Sequence, residues 1–501
     1  MDIHSIINTL SLREKLSQMF IMGFDGTEAE NNVCSALKNA LGGVIFFSYN
    51  INSLSQLSKL IFEFNNLSKI PPFISIDQEG GLVERTINAP DAHEYLTQMS
   101  LSLSGKAELV YEHTKILYEE LRSLGVNMNF SPVIDVNTEH KNPVIGVRSF
   151  SDKTDEVIKY SEQVLRGFEG NNIIAVGKHF PGHGATSVDS HIDMPQVSSG
   201  LVELENIHIK PFKELILKGL DAVMIAHVNY SVFDNEAIPA SLSKNIVKDY
   251  LISGLGFKGL VITDDMMMGG ITEYFSPVEG CIKAINAGID VFIMRNSTDD
   301  TIKIIDSLCR MAEEGQISEE RINESVYKIL SIKNKYNFFA NNPVLGHFDT
   351  VEAQNKIDKI ALQSLKILKK GRLIPLQGKS LILSPDKKLL HNFSDDSPLL
   401  SEILKLPDLK EISYSVDPSD EFISSLKEIE GYDNLIFVEY NSNLHPLQLK
   451  MFNSLSLPAI VLIAGNPYNL ESYSGADSII QSCCYKTPLL KAFAEVIKGR
   501  L

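Results

Sequence analysis

Residues 173–191 read IIAVGKHFPGHGATSVDSH. A short apolar run ends in Lys178 and His179, and a glycine- and proline-rich stretch comes next that carries His183, Asp189 and His191. Apolar residues that stop at ionisable ones and then at turn formers describe a buried strand whose carboxyl end opens onto a loop. The same pattern recurs through the first 340 residues. The runs are MFIMGF (19–24), GVIFF (43–47), FISI (73–76), VNMNF (126–130), IIAVG (173–177), AVMIA (222–226), LVIT (260–263) and VFIM (291–294). Amphipathic segments such as SLSQLSKLIFEFNNL, TDEVIKYSEQVLRGFEG and LENIHIKPFKELILKG lie between them. Continuous apolar strands alternating with amphipathic helices indicate a parallel sheet covered on both faces. Eight of them predict an α/β chain whose residues 1–340 form a (β/α)8 TIM-type barrel.

The residues that terminate these runs support a catalytic barrel. Asp77 comes after the third, Ser131 and Asp135 after the fourth, Lys178 and His179 after the fifth, His227 after the sixth and Asp264 after the seventh. Barrel chemistry sits at the carboxyl ends of the strands, where the βα loops converge. Beyond residue 340 the texture changes. NKYNFFANNPVLGHF is turn-rich, and residues 341–372 read as a linker and connecting helix. Residues 373–501 carry SLILS (380–384), NLIFVEY (434–440), AIVLIAG (459–465) and SIIQS (478–482). That alternation predicts a smaller α/β sandwich domain with a mostly parallel sheet. GKS at 378–380 lacks the remainder of a phosphate loop, so a packing or partner-docking role is the default for this unit.

A chain of 501 residues exceeds what one core usually serves, in keeping with two domains. Forty-six basic against 63 acidic residues give a formal charge of −17, and no basic block stands out. That argues against a nucleic-acid partner, and the acidity reads as solubility. Five scattered cysteines without a C-x-x-C suit a reducing compartment. No basic segment leading into an apolar run opens the chain, and no apolar run is long enough to span a bilayer. The expectation is a cytoplasmic protein with no membrane partner. Its oligomeric state is not legible.

The loop after the fifth strand admits two chemistries. His179 and His183 have H-x-x-x-H spacing, but Pro181, Gly182 and Gly184 forbid the helix that would align them on a metal. Asp189 stands two residues before His191, and in extended backbone the two share a face, so the carboxylate can orient and charge the imidazole. An imidazole titrates near 6.5, suited to a general acid that later serves as base. An Asp–His pair that merely holds a loop remains the rival reading. Asp264, fixed by a strand end, is the candidate nucleophile, with Asp265 pointing elsewhere and Met266–Met268 forming an apolar wall. A fixed carboxylate plus a separate proton donor is the minimum for double-displacement glycoside hydrolysis. Asp77 can bridge two hydroxyls, and Arg85, Arg148, Lys178 and His179 supply donors. A chain without tryptophan disfavours a long stacking groove, so the pocket is expected to be small and polar.

Four segments, DQEGGLVER (77–85), NPVIGVRSF (142–150), KHFPGHGATSVDSH (178–191) and VITDDMMMGG (261–270), together resemble glycoside hydrolase family 3. Within it they look most like the β-N-acetylglucosaminidase branch of peptidoglycan recycling, over roughly residues 8–340. The second unit resembles that family's C-terminal domain only through features such as AIVLIAGNPYNL. The resemblance implies retention through a covalent glycosyl-aspartate on Asp264, with His191 as acid/base and Asp189 as its partner. It implies sugar binding by Asp77, Arg85, Arg148, Lys178 and His179, with no metal and no cofactor. The implied substrate is a small carbohydrate or muropeptide bearing a terminal, non-reducing β-linked N-acetylglucosamine. Leu82 departs from a family stretch that often carries arginine, and it reads as a peripheral rim position. A phosphorylase using the same residues, a sugar-binding sensor and substrate-assisted hydrolysis by Asp264 and Asp265 are the alternatives. Branches with a glutamate donor from the second domain are disfavoured by the DSH string.

Overall fold

The computed structural model describes all residues except 1, 171, 191, 296–297, 341–347, 391–392, 394–396 and 501. Eight parallel strands close into a barrel: β1 (Phe20–Met22), β2 (Gly43–Phe46), β3 (Phe73–Ile76), β4 (Met128–Asn129), β5 (Ile174–Phe180), β6 (Ala222–Ile225), β7 (Leu260–Asp265) and β8 (Val291–Met294). Each falls on one of the eight apolar runs, and the ring order β1-β8-β7-β6-β5-β4-β3-β2 is that of a (β/α)8 barrel. Strand residues of β1, β2, β3, β6 and β8 are buried throughout, because the barrel interior takes one face and the outer helices take the other. The helix Leu54–Leu67 shows how that outer layer is specified. Ser53 accepts the amide of Gln56 as N-cap, and Leu57, Leu60, Ile61 and Phe64 form the buried stripe.

A helix at Thr350–Ser364 leads into a second, six-stranded sheet. Its strands are β9 (Lys366–Lys369), β10 (Ser380–Pro385), β11 (Leu409–Tyr414), β12 (Asn434–Glu439), β13 (Ala459–Ile463) and β14 (Ser478–Gln481), in the order β9-β14-β13-β12-β10-β11. All neighbours are parallel except the edge pair β9/β14, and separate apolar clusters cover the two faces. Two strands escape sequence reading. The exposed Lys366–Lys369 lies inside the stretch read as a connecting segment, and Leu409–Tyr414 is largely half-buried or exposed on the opposite edge. Among the described residues, no helix is long and apolar enough to cross a membrane.

The two units share an apolar seam. Met99, Val147 and Cys483 form a small core between them, with Leu82 and Tyr468 packed against it. Tyr468 stacks on His140 at 3.8 Å between ring centroids, and its hydroxyl accepts from Asn137 Nδ2 at 2.7 Å.

Candidate active site

A cavity of about 240 Å3 opens at the carboxyl end of the barrel. Its wall takes Phe47 from just past β2, Asp77 and Glu79 from just past β3, Lys178 and His179 from β5, Asp264 and Asp265 from β7 and Arg295 from just past β8. Arg85 and Arg148 reach it from longer loops. The structure thus brings together Asp77, Arg85, Arg148, Lys178, His179 and Asp264, six of the residues singled out from sequence. Asp189 is half-buried and is not among the residues lining the cavity. His191 lies outside the described residues. Ser190, between the two, does line the cavity, and its carbonyl accepts the Gly270 amide at 3.1 Å. That bond ties the loop to the turn beyond Asp264.

One half of the cavity is a network of paired charges. Asp77 Oδ1 accepts from Lys178 Nζ at 2.8 Å, and Oδ2 accepts from Arg85 Nη2 at 3.2 Å. Glu79 takes the guanidinium of Arg148 with both oxygens, at 2.8 and 2.9 Å, and also pairs with Lys178. Burial alone would favour neutral acids. Lys178 and Arg85 outweigh it at Asp77 and hold that carboxyl well below the usual range. Arg148 and Lys178 bring Glu79 down to about 2. Both acids are therefore ionised at working pH, and three cations face them.

Behind this layer lies Asp135, fully buried. It accepts His179 Nδ1–H at 2.7 Å and the backbone amide of His183 at 2.6 Å. Burial raises its pKa and His179 lowers it, with a net shift downward. The carboxylate fixes the tautomer of His179, whose remaining polar ring atom is Nε2. His183 spends both ring nitrogens locally, on Thr186 Oγ1 at 2.8 Å and Ser190 Oγ at 2.9 Å. The Thr186 hydroxyl donates to the His183 carbonyl, so the ring donates from Nδ1 and accepts at Nε2. Burial, reinforced by His179, pushes its pKa down to about 4. A neutral histidine with both nitrogens engaged holds the loop and leaves the H-x-x-x-H spacing without a metal-ligating partner. Among the described residues no group of three or more His, Cys, Asp or Glu side chains converges as a metal site.

The other half carries the two β7 carboxylates. Asp264 Oδ1 accepts the Asp265 amide at 2.8 Å, which orients it from the strand end. Asp265, expected from sequence to point elsewhere, lines the cavity too. Its Oδ1 accepts the amides of Met267 and Arg295, which spans the ends of β7 and β8, and burial pushes its pKa up to about 6. Met268 supplies the apolar wall, whereas Met266 is buried in the core. His227 stands further back, bonded to Ser241 and to the Asp265 carbonyl, and burial lowers its pKa.

Sequence reading missed Glu79, Phe47 and Arg295 and gave Asp135 no role. Glu79 stands only two residues after Asp77 at the same strand end, a position that could have drawn it into the site. Phe47 and Arg295 obey the strand-end rule at β2 and β8. Arg85 and Arg295 lie over the Phe47 ring, at 5.4 and 5.3 Å from its centroid. Leu82, read as a rim position, instead lines the cavity and also packs against the second domain.

The model of the Glycosyl hydrolase family 3 N terminal domain matches residues 11–332. Beta-hexosaminidase A of Pseudoalteromonas piscicida is 31% identical over 384 residues, 70% of this chain and 63% of that protein. A Beta-hexosaminidase of Nitrosospira multiformis is 34% identical over 284 residues, 56% of this chain and 80% of its own length. A solved glycoside hydrolase family 3 beta-N-acetylglucosaminidase from Paenibacillus sp. str. FPU-7 superposes with a TM-score of 0.89 at 31% identity, covering 98% of this chain and 97% of its own. The chain belongs to glycosyl hydrolase family 3.

Proposed function

We propose that this protein is a retaining exo-β-N-acetylglucosaminidase that removes terminal, non-reducing β-linked N-acetylglucosamine from muropeptides or other small glycosides. The observation that carries this reading is Asp264, held at a strand end in the cavity at the barrel mouth together with a charge-compensated set of hydrogen-bonding groups. A volume of about 240 Å3 lies below the range of roughly 300–1,000 Å3 typical of drug-sized ligands. It suits one sugar unit with the rest of the substrate outside, hence exo action. Asp77, Arg148, Lys178 and His179 offer acceptors and donors for its hydroxyls and amide. In the proposed reaction Asp264 attacks the anomeric carbon and forms a glycosyl ester. His191 protonates the departing oxygen and then takes a proton from water, and Asp189 stabilises the imidazolium. The tether from Ser190 to Gly270 supports an approach of that loop to Asp264.

The names of the relatives support the same substrate class. The test is release of nitrophenol from 4-nitrophenyl N-acetyl-β-glucosaminide in the presence of chelator. Wild type is expected to release it and Asp264→Asn is not. A 5-fluoro glycosyl fluoride is expected to leave one sugar mass on the peptide containing Asp264. Silence of the wild type, or turnover by Asp264→Asn, overturns the reading.

A further inference from the structure

Asp77, Glu79 and Arg85 belong to one short segment, and its far side does not face the barrel. Residues 79–83 form a tight turn in which Val83 O accepts the amides of Glu79 and Gly80. Gly80 and Gly81 have φ of +102° and +65°, and a Cβ would stand 2.4 Å from Leu96 O at the first and 2.1 Å from Thr97 Cγ2 at the second. The turn is therefore pressed against Tyr95–Thr97, and Gly81 N donates to Tyr95 O at 2.9 Å. Thr97 Oγ1 in turn donates to the carbonyl of Cys483, at the end of the second sheet.

Two contacts cross directly from the second domain into the turn. Leu82 lines the cavity and packs on its other side against the apolar cluster that covers one face of the second sheet. Glu84, the neighbour of Arg85, is 7% exposed. Its Oε2 accepts from Lys486 Nζ at 2.8 Å, and its Oε1 accepts the Tyr95 amide at 2.6 Å. Lys486 is 1% exposed and stands just past β14, at the carboxyl edge of the sheet. In open parallel sheets that edge is where ligands usually bind. Here it holds a loop of the barrel.

We propose that Lys486 is a positioning residue for catalysis: through Glu84 and Leu82, the second domain clamps the 77–85 turn and sets the reach of Asp77, Glu79 and Arg85 to the sugar. The proposal rests on the glycosidase reading of the cavity. The pair is buried on both sides, so removing one partner leaves an uncompensated charge. The other ionisable groups facing the pair are Glu94, whose carboxylate accepts the Thr487 amide, and the thiol of Cys484. Lys387 lies nearby, over the Tyr485 ring. Burial pushes the Glu84 carboxyl up to about 7, against the pull of Lys486. Without Lys486 it stays protonated at low pH and becomes an unpaired buried anion as the pH rises.

The test compares wild type, Lys486→Met, Lys486→Arg and the double variant Glu84→Gln/Lys486→Met. Hydrogen exchange of the intact protein, which needs no substrate, is expected to show faster exchange in the 77–85 amides of Lys486→Met with the barrel strands unchanged. On 4-nitrophenyl N-acetyl-β-glucosaminide, kcat/KM of Lys486→Met should fall on the order of tenfold at pH 8, through KM more than kcat, and by less at pH 6. Lys486→Arg should recover most of it, and the double variant should lose the pH dependence. If Lys486→Met does not fold, the double variant against wild type carries the test, with faster 77–85 exchange and a raised KM expected. Unchanged 77–85 exchange, or a lower stability with KM and its pH profile unaltered, overturns the clamp. A wild type that is inactive on this substrate overturns the glycosidase reading instead, and the exchange result still decides the clamp.

Discussion

Glu79→Gln keeps the shape of a buried side chain and removes the charge that holds Arg148 and Lys178. In the folded protein this carboxyl ionises near pH 2, against 4.5 for an unburied glutamate. At about 1.4 kcal/mol per pH unit, the gap corresponds to on the order of 3 kcal/mol of stability at neutral pH. That agrees with the roughly 3–5 kcal/mol lost when one partner of a buried pair is removed. The sign comes from a depressed pKa: the contribution is complete above the unfolded value and fades as pH falls toward the folded one. Urea unfolding monitored by circular dichroism should therefore show Glu79→Gln less stable than wild type by about 3 kcal/mol at pH 7, and by less than half that at about pH 3. Arg148 also loses its two-point anchor, so kcat/KM should fall on the order of a hundredfold, the cost of a misplaced binding group. A deficit under about 1 kcal/mol at pH 7, or one that is equal at both pH values, would refute the charge-pairing argument.

Three further outcomes can be checked. The imidazole of His183, neutral by burial with both nitrogens engaged, should show no protonation by NMR between pH 8 and 5; a midpoint near 6.5 contradicts that environment. Asp265→Asn should be more stable than wild type at pH 8, with the advantage gone below pH 4. The raised carboxyl disfavours the folded state once it ionises, and the amide oxygen can still accept from Met267 and Arg295. An equal or lower thermal midpoint at pH 8 argues against this account. Gly81→Ala forces a Cβ into Thr97 at a left-handed φ, so it should lose activity through a displaced turn, and a crystal structure with an unmoved Asp77 would disprove the strain argument.

The barrel was legible because most of its strands are apolar runs ended by a polar residue, and burial on both faces demands that composition. The second sheet was legible only at its centre. Leu409–Tyr414 is an edge strand carrying Lys410 and Glu411, so half-exposure dilutes its apolar signal. Lys366–Lys369 sits on the other edge, exposed along its length, and its pairing with β14 depends on a partner more than a hundred residues away. Local pattern has no access to such a pairing. The same limit applies to Asp135. Its position after β4 showed a polar residue near a barrel mouth, yet its work is to bond His179 and the His183 amide, 44 and 48 residues on.

Leu82 shows where a motif read in isolation misleads. In DQEGGLVER the charged residues attract the chemistry, and a leucine among them looks like a neutral substitution at the rim. In the fold, Asp77 and Glu79 are largely engaged in holding cations, each bonded to Lys178 and to one arginine. The segment thus presents to a sugar a rigid lattice of paired groups, and its value depends on where the turn is held. Leu82 and Glu84 carry that constraint by entering the second domain, while Asp77, Glu79 and Arg85 face the cavity. Residues of one tight turn thus serve two neighbours, the cavity and the second domain. A packing role for the second domain and a catalytic role for the barrel are then parts of one arrangement, joined through residues 77–85.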